Sequence, residues 1–135
     1  MSNFNKDFIT RWFIEVWNNS NPAVMDEMLH PDVKVYGVGS EVFTGAHIFK
    51  QFYHDFRDVY SDIHFDIEKL ISEGDEVAAL LNVSAVHTAS GKNVHFSGVT
   101  IAKIENGVLT SGWNYFDFLG LSKQTGGLEP EQLRR

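Results

Sequence analysis

The residues best suited by type to do chemistry lie in the run Trp113-Asn114-Tyr115-Phe116-Asp117-Phe118, where one carboxylate stands among aromatic side chains. A strand that buries such a run carries Asp117 toward apolar surroundings. Loss of hydration there raises an acid's pKa, which is how a carboxyl group becomes a general acid or base. Such a group suits proton transfer at a carbon alpha to a carbonyl, at water or at an epoxide. Tyr36, Trp113 and Tyr115 would then offer ring faces to a planar or apolar ligand, with phenol and indole donors for its oxygens. A carboxylate at a strand end also has a plainer use, capping the turn that follows.

The elements that must position these residues follow from spacing. Asn106-Gly107 is a hairpin signal, and a two-residue type I′ turn there pairs Glu105 with Val108. Strict alternation from that pair sets Trp113 opposite Thr100, Tyr115 opposite Gly98 and Asp117 opposite Phe96, all on one face. Phe96 and Thr100 are thereby expected in the same site, Thr100 as a second hydrogen-bond donor. The other face of the hairpin carries Val99, Ile101, Phe116 and Phe118, so the ribbon is apolar on both sides. One layer of helices covers one side of a sheet. The other side is expected to be covered by a second copy of the chain.

Upstream, Phe4, Phe8, Ile9, Trp12, Phe13, Val16 and Trp17 recur at helical spacing up to the polar stop Asn18-Asn19-Ser20-Asn21. Asn21-Pro22 opens a short second helix that closes at His30-Pro31-Asp32. After a β-like run from Val33 to Val38, Thr44-Gly45 precedes a third helix carrying Ile48, Phe49, Phe52, Tyr53, Phe56 and Val59. The second half changes period: strands are expected near 63–71, 77–87, 93–104 and 108–119, with short connections that make neighbours antiparallel. The segment from Thr125 to Pro130 reads as loosely ordered.

Composition narrows the function. The 135 residues fit one domain, and the net charge of −7, from 11 basic and 18 acidic residues, opposes nucleic acid and anionic membranes. The only basic cluster is the terminal Arg134-Arg135 pair. With no cysteine there is no disulfide, thiol nucleophile or cysteine metal site. The chain starts without a signal-peptide pattern and has no apolar stretch of membrane-spanning length, so a cytoplasmic protein is expected. The six histidines show no recognised ligand spacing, and phosphate-loop and dinucleotide motifs are missing, so neither metal nor cofactor is expected. The excess of 11 phenylalanines beside four tyrosines and three tryptophans is more than core volume needs and suits a ligand cavity or subunit interface.

The order of helices and then sheet, with His30-Pro31-Asp32, Thr44-Gly45, Glu73-Gly74-Asp75 and the Asp117 segment in sequence, resembles the nuclear transport factor 2-like superfamily. Within it the chain is most similar to the SnoaL-like polyketide cyclases, over roughly residues 5 to 126. The resemblance implies an α+β fold: a cone-shaped, curved, mostly antiparallel sheet packed on three N-terminal helices, with a pocket between the layers and dimerisation through the sheet's outer face. It places the cyclases' acid/base aspartate on Asp117, while their histidine and glutamine partners fall on Thr100 and Gly98. Of the related ketosteroid isomerases' groups, the phenol donor falls near Phe13, the base on Tyr36 and the buried acid on Thr100, which excludes the isomerase mechanism and leaves Phe13 as a pocket-lining residue. The resulting expectation is a cofactor-free, dimeric protein with Asp117 as acid/base toward an apolar oxygenated small molecule. A non-catalytic ligand-binding or protein-interaction module of the same fold is the alternative.

Overall fold

A computed structural model of the chain describes residues 2–38 and 42–125. The loosely ordered segment expected beyond Thr125, the Arg134-Arg135 pair and Gly39-Ser40-Glu41 of the first loop lie outside the described residues. Helix α1 (Ser2–Arg11) runs into a π-helical segment, Trp12–Asn18, followed by a 3-10 turn, Pro22–Val24, and α2 (Met25–Met28). Strands β1 (Leu29–Tyr36) and β2 (Phe43–Thr44) precede α3 (Ala46–Val59), and β3 (Tyr60–Glu73), β4 (Glu76–His87), β5 (Lys92–Glu105) and β6 (Val108–Phe116) follow before a last helix, α4 (Phe118–Gln124). The six strands form one curved sheet in the order β2-β1-β6-β5-β4-β3, antiparallel except for the parallel pair β1–β6. This is the expected α+β architecture.

Two elements depart from the sequence expectation beyond shifted ends such as that of the second helix, which stops at Met28 so that His30-Pro31-Asp32 falls inside β1. The first helix does not stay α-helical through Trp17: from Trp12 its hydrogen bonds widen toward i to i+5 spacing, as in the 2.7 Å bond from Asn19 N–H to the Ile14 carbonyl. Side chains five apart then come onto one line, which turns both Trp12 and Trp17 toward the sheet. Asn18 pins the end of this segment to β3, its amide donating to the Phe65 carbonyl (2.9 Å) and accepting from the Phe65 N–H (2.6 Å). The second departure is α4, where the strand was expected to continue to Leu119. It docks through buried Leu121 and through Gln124, whose amide accepts from His95 N–H (2.8 Å) and donates to the His95 carbonyl (2.6 Å).

The core lies between the helices and the concave face of the sheet and is built from alternate strand residues such as Val77, Ala79, Leu81, Val83 and Val94. Tyr53 on α3 is 1% exposed, stacks near Trp17 and donates its hydroxyl to the Val16 carbonyl at 2.7 Å. Burial pushes its phenol above its ordinary value, against a smaller opposite pull from Arg57. The native state therefore holds this proton more tightly than the unfolded chain does, and stability falls as pH rises above about 10 through the folded value. Tyr53→Phe should flatten part of that alkaline loss in urea titrations at pH 8 and pH 11, while costing about 1 kcal/mol at neutral pH for the lost hydrogen bond. Tyr60, raised by its own burial, retains its share in the variant.

Candidate functional site

The decisive local event is a bulge in the β5–β6 hairpin. The turn is as expected: Asn106 and Gly107 both have positive φ (53° and 80°), and Glu105 pairs with Val108. Ile104 then faces Leu109, but Lys103 faces Ser111, which leaves Thr110 as an extra residue on β6. Its hydroxyl donates to the Glu105 carboxylate (2.9 Å). Because side chains alternate with a period of two, one inserted residue exchanges the faces of everything beyond it. Thr100 lies opposite Asn114 instead of Trp113, and Gly98 opposite Phe116 instead of Tyr115.

The expected placement of four site residues is corrected accordingly. Trp113 pairs with Ile101 and Tyr115 with Val99 on the outer face, where Tyr115 is 64% exposed. Tyr36 is also on the outer face, its ring stacked on Trp113 with centroids 5.4 Å apart and planes within 4°. Asp117 is exposed rather than buried. It continues the β5 ladder through its N–H to the Ser97 carbonyl (3.1 Å), and its carboxylate caps α4 by accepting the Gly120 N–H at 2.9 Å. Phe96 and Thr100, on the inner face of β5, and Phe13, on the π-helical segment opposite, meet in one cavity.

That cavity lies between the π segment, α3 and the inner face of β3, β5 and β6. Trp12, Phe13 and Trp17 form its helical wall, Phe49, Phe52 and Phe56 its α3 wall, and Phe65, Phe96, Phe116 and Phe118 its floor and end, with Val38 at the edge. The rings pack edge to face, Phe65 against Phe116 at 87° and Phe96 against Phe116 at 68°. Its volume is about 50 Å³. Cavities of about 150 Å³ hold a benzene ring, so a ring-sized guest needs one or two phenylalanines to swing aside. Phe52, Phe56, Phe116 and Phe118 are only partly buried and are the side chains free to do so.

The polar atoms of the lining side chains are the two indole N–H groups and one pair that the hairpin register brings together. Thr100, 5% exposed, donates from its hydroxyl to Asn114 Oδ1 at 2.9 Å, and Asn114 Nδ2 donates to the Tyr36 carbonyl at 3.1 Å. Among the described residues, no carboxylate, imidazole or amine lines the cavity. Asn114 was missed by sequence reasoning. The available signal was the opposite alternation of the last residues, which puts Asn114, Phe116 and Phe118 inward and leaves the carboxylate of Asp117 hydrated, the less costly choice. Among the described residues, no three His, Asp or Glu side chains converge as a metal site, and no helix is long and apolar enough to cross a membrane.

The SnoaL-like polyketide cyclase family model matches residues 8–125, a span that includes every residue lining this cavity. The chain belongs to the SnoaL-like polyketide cyclase family. Solved structures of similar shape agree in fold. A candidate SnoaL-like polyketide cyclase from Jannaschia sp. CCS1 superposes with a TM-score of 0.86 at 17% identity, covering 95% of each chain. A candidate polyketide cyclase from Acidithiobacillus ferrooxidans gives 0.79 at 25% identity over 92% of this chain and 96% of that one. A hypothetical protein with a ketosteroid isomerase-like fold from Catenulispora acidiphila, in complex with trimethylamine, gives 0.79 at 17% identity over 90% and 93%. No curated protein matches the chain. In this chain the ring of Phe116 occupies the space beside Gly98.

Proposed function

We propose that this SnoaL-like protein takes up one small, uncharged, largely apolar and oxygenated molecule of polyketide-like character in its aromatic cavity. The observation that carries this reading is the lining itself, apolar and aromatic apart from the indole N–H groups and the Thr100–Asn114 pair, with no ionisable side chain among the described residues. Such a wall favours ring faces and hydrocarbon and penalises charge. Trp12 and Trp17 are built-in reporters: in a Trp113→Phe background they are the remaining tryptophans, and a neutral aromatic such as naphthalene is expected to quench them saturably. Absence of any saturable response from a panel of neutral one- and two-ring compounds would sink the reading.

Acid/base catalysis by Asp117 on the same guest is the second reading, favoured because Asp117 stands between Phe116 and Phe118, both in the cavity wall. It requires the carboxylate to let go of the Gly120 N–H and α4 to shift. Asp117→Asn keeps a side-chain oxygen for the cap but not the proton-transfer group. Binding with no turnover by wild type supports binding without catalysis; turnover that Asp117→Asn loses while keeping its affinity would favour the second reading.

The outer face supports a homodimer as part of the same proposal. Ile71, Ala78, Ile101, Trp113 and Tyr36 are successive cross-strand partners in one row, and Leu80, Val99 and Tyr115 form the next. Charged and polar residues border this band, with Glu73, Glu76, Lys103 and Lys34 on one side and Asp66, Asn82 and Ser97 on the other. An apolar centre with a polar rim is the anatomy of a subunit contact, and a second copy of the same face meets it by a two-fold axis. Sedimentation equilibrium should give a dimer, and Ile101→Glu, which puts a carboxylate in the middle of the row, should weaken it at least a hundredfold. A monomeric wild type at micromolar concentration would overturn this part.

A further inference from the structure

The cavity fixes not only that its guest is apolar but which kind of oxygen it carries, an inference that rests on the binding reading above. Asn114 is held between two partners, the Tyr36 carbonyl at Nδ2 (3.1 Å) and the Thr100 hydroxyl at Oδ1 (2.9 Å). A backbone carbonyl only accepts hydrogen bonds, so turning the amide over would set two oxygens against each other. Nδ2 therefore stays at Tyr36, and Oδ1 faces Thr100. Oδ1 cannot donate, so the shared proton is the threonine's. A threonine hydroxyl has one proton and two acceptor positions. With the proton committed to Asn114, what Thr100 offers the cavity is an acceptor.

This reverses the role expected of Thr100 from sequence, a weak second donor to a ligand oxygen. The polarity of Thr100 is set two hydrogen bonds away, by the carbonyl of β1 that lies against β6. We propose that the cavity selects a neutral guest with a hydroxyl proton to give, a phenol, enol or alcohol on an apolar frame, and that Thr100 Oγ1 is its acceptor. A guest without a donor leaves a desolvated acceptor unmatched, a loss that a site built around a hydrogen bond converts into discrimination. A phenolate or carboxylate is disfavoured at this position, since the lining holds no cation among the described residues and Oγ1 has no proton free to donate. The geometry thus sorts the oxygenated compounds of the proposed class, favouring hydroxyls over their methyl ethers and ketones at the Thr100 position.

Phenol and toluene, nearly equal in shape, test this by calorimetric titration against wild type and two variants. Thr100→Val removes the acceptor and fills its space with a methyl group. Phenol should lose about tenfold in affinity while toluene changes less than twofold. Thr100→Ser, which keeps the oxygen, should retain the phenol. Asn114→Leu gives an independent reading that does not depend on Thr100→Val folding: it releases the threonine proton, so benzaldehyde, an acceptor only, should gain several-fold relative to toluene. If phenol and toluene move together in Thr100→Val, or benzaldehyde gains nothing in Asn114→Leu, the assignment of polarity is overturned although the cavity still binds. If neither phenol nor toluene binds wild type, the binding reading itself fails, and this inference with it.

Discussion

Gly37→Ala is expected to be the most damaging single substitution outside the aromatic core. Gly37 follows β1 with φ of +86°, and a Cβ built there would sit 1.8 Å from the Asn114 backbone carbonyl. Two costs add. A side chain in the left-handed region is strained in any surroundings, and here the clash is with backbone of the partner strand, which cannot rotate away. The parallel β1–β6 pair would have to open where Tyr36 meets Trp113. A loss of about 3 to 5 kcal/mol is expected, a large share of a typical domain's stability. Urea unfolding followed by circular dichroism measures it. Any population that stays folded should also lose the Asn114–Tyr36 hydrogen bond, and with it the hydroxyl preference of the cavity. A variant within 1 kcal/mol of wild type would show that the close approach of the two strands is wrong.

Gly98→Ala should combine a smaller loss of stability with closure of the cavity. A Cβ at Gly98 would lie 2.3 Å from Phe116 Cδ2 and 2.6 Å from the Tyr115 carbonyl. The ring of Phe116 rests on the bare backbone of β5, and only glycine leaves room for it. The ring can escape only toward the cavity, whose free volume is about 50 Å³. Overpacking of this kind costs about 1 to 3 kcal/mol. Affinity for a one-ring guest should fall more than tenfold, read by quenching of Trp12 and Trp17. Phe116→Leu in the same background relieves the contact and should restore both stability and binding in part. At Gly98 a longer side chain and the ring of Phe116 exclude each other, so one can be had only in exchange for the other.

Such an exchange bears on where catalytic groups can stand. With Gly98 covered by a ring and Thr100 engaged by Asn114, β5 offers no titratable group to the cavity. The proton-transfer group nearest in sequence to the wall is Asp117, which serves as the N-cap of α4. Catalysis and capping compete for the same carboxylate. Since α4 is also latched by Gln124 to the backbone of β5, releasing Asp117 means disturbing the element that carries Phe118 and Leu121 inward.

Much of the architecture is legible in the sequence because it depends on local regularities. Helical spacing marks α1 and α3, the Asn106-Gly107 turn fixes the start of the last hairpin, and the β-branched runs mark β3 to β6. The two-sided apolarity of the β5–β6 ribbon is also read correctly, although the residues forming each side of β6 are not. Phe96 and Thr100 follow from a strand whose period is unbroken up to that point, and Phe13 from the apolar face of the first helix, although its π-helical turn is not legible in the spacing. What the sequence could not decide was the single extra residue at Thr110. Bulged and unbulged hairpins differ little in local preference, and the choice is made by partners distant in the chain. β1 lies parallel to β6 with Gly37 against Asn114, Phe116 rests on Gly98, and Phe118 turns inward with α4. Each of these contacts is available only if Asn114, Phe116 and Phe118 face the helices. Side chains on a strand alternate, so satisfying them moves Trp113, Tyr115 and Asp117 together to the other face. The sequence determined that an aromatic α+β fold with one carboxylate at the end of its last strand would form; the tertiary packing alone decided that the carboxylate would cap a helix and that an amide would take its place in the cavity.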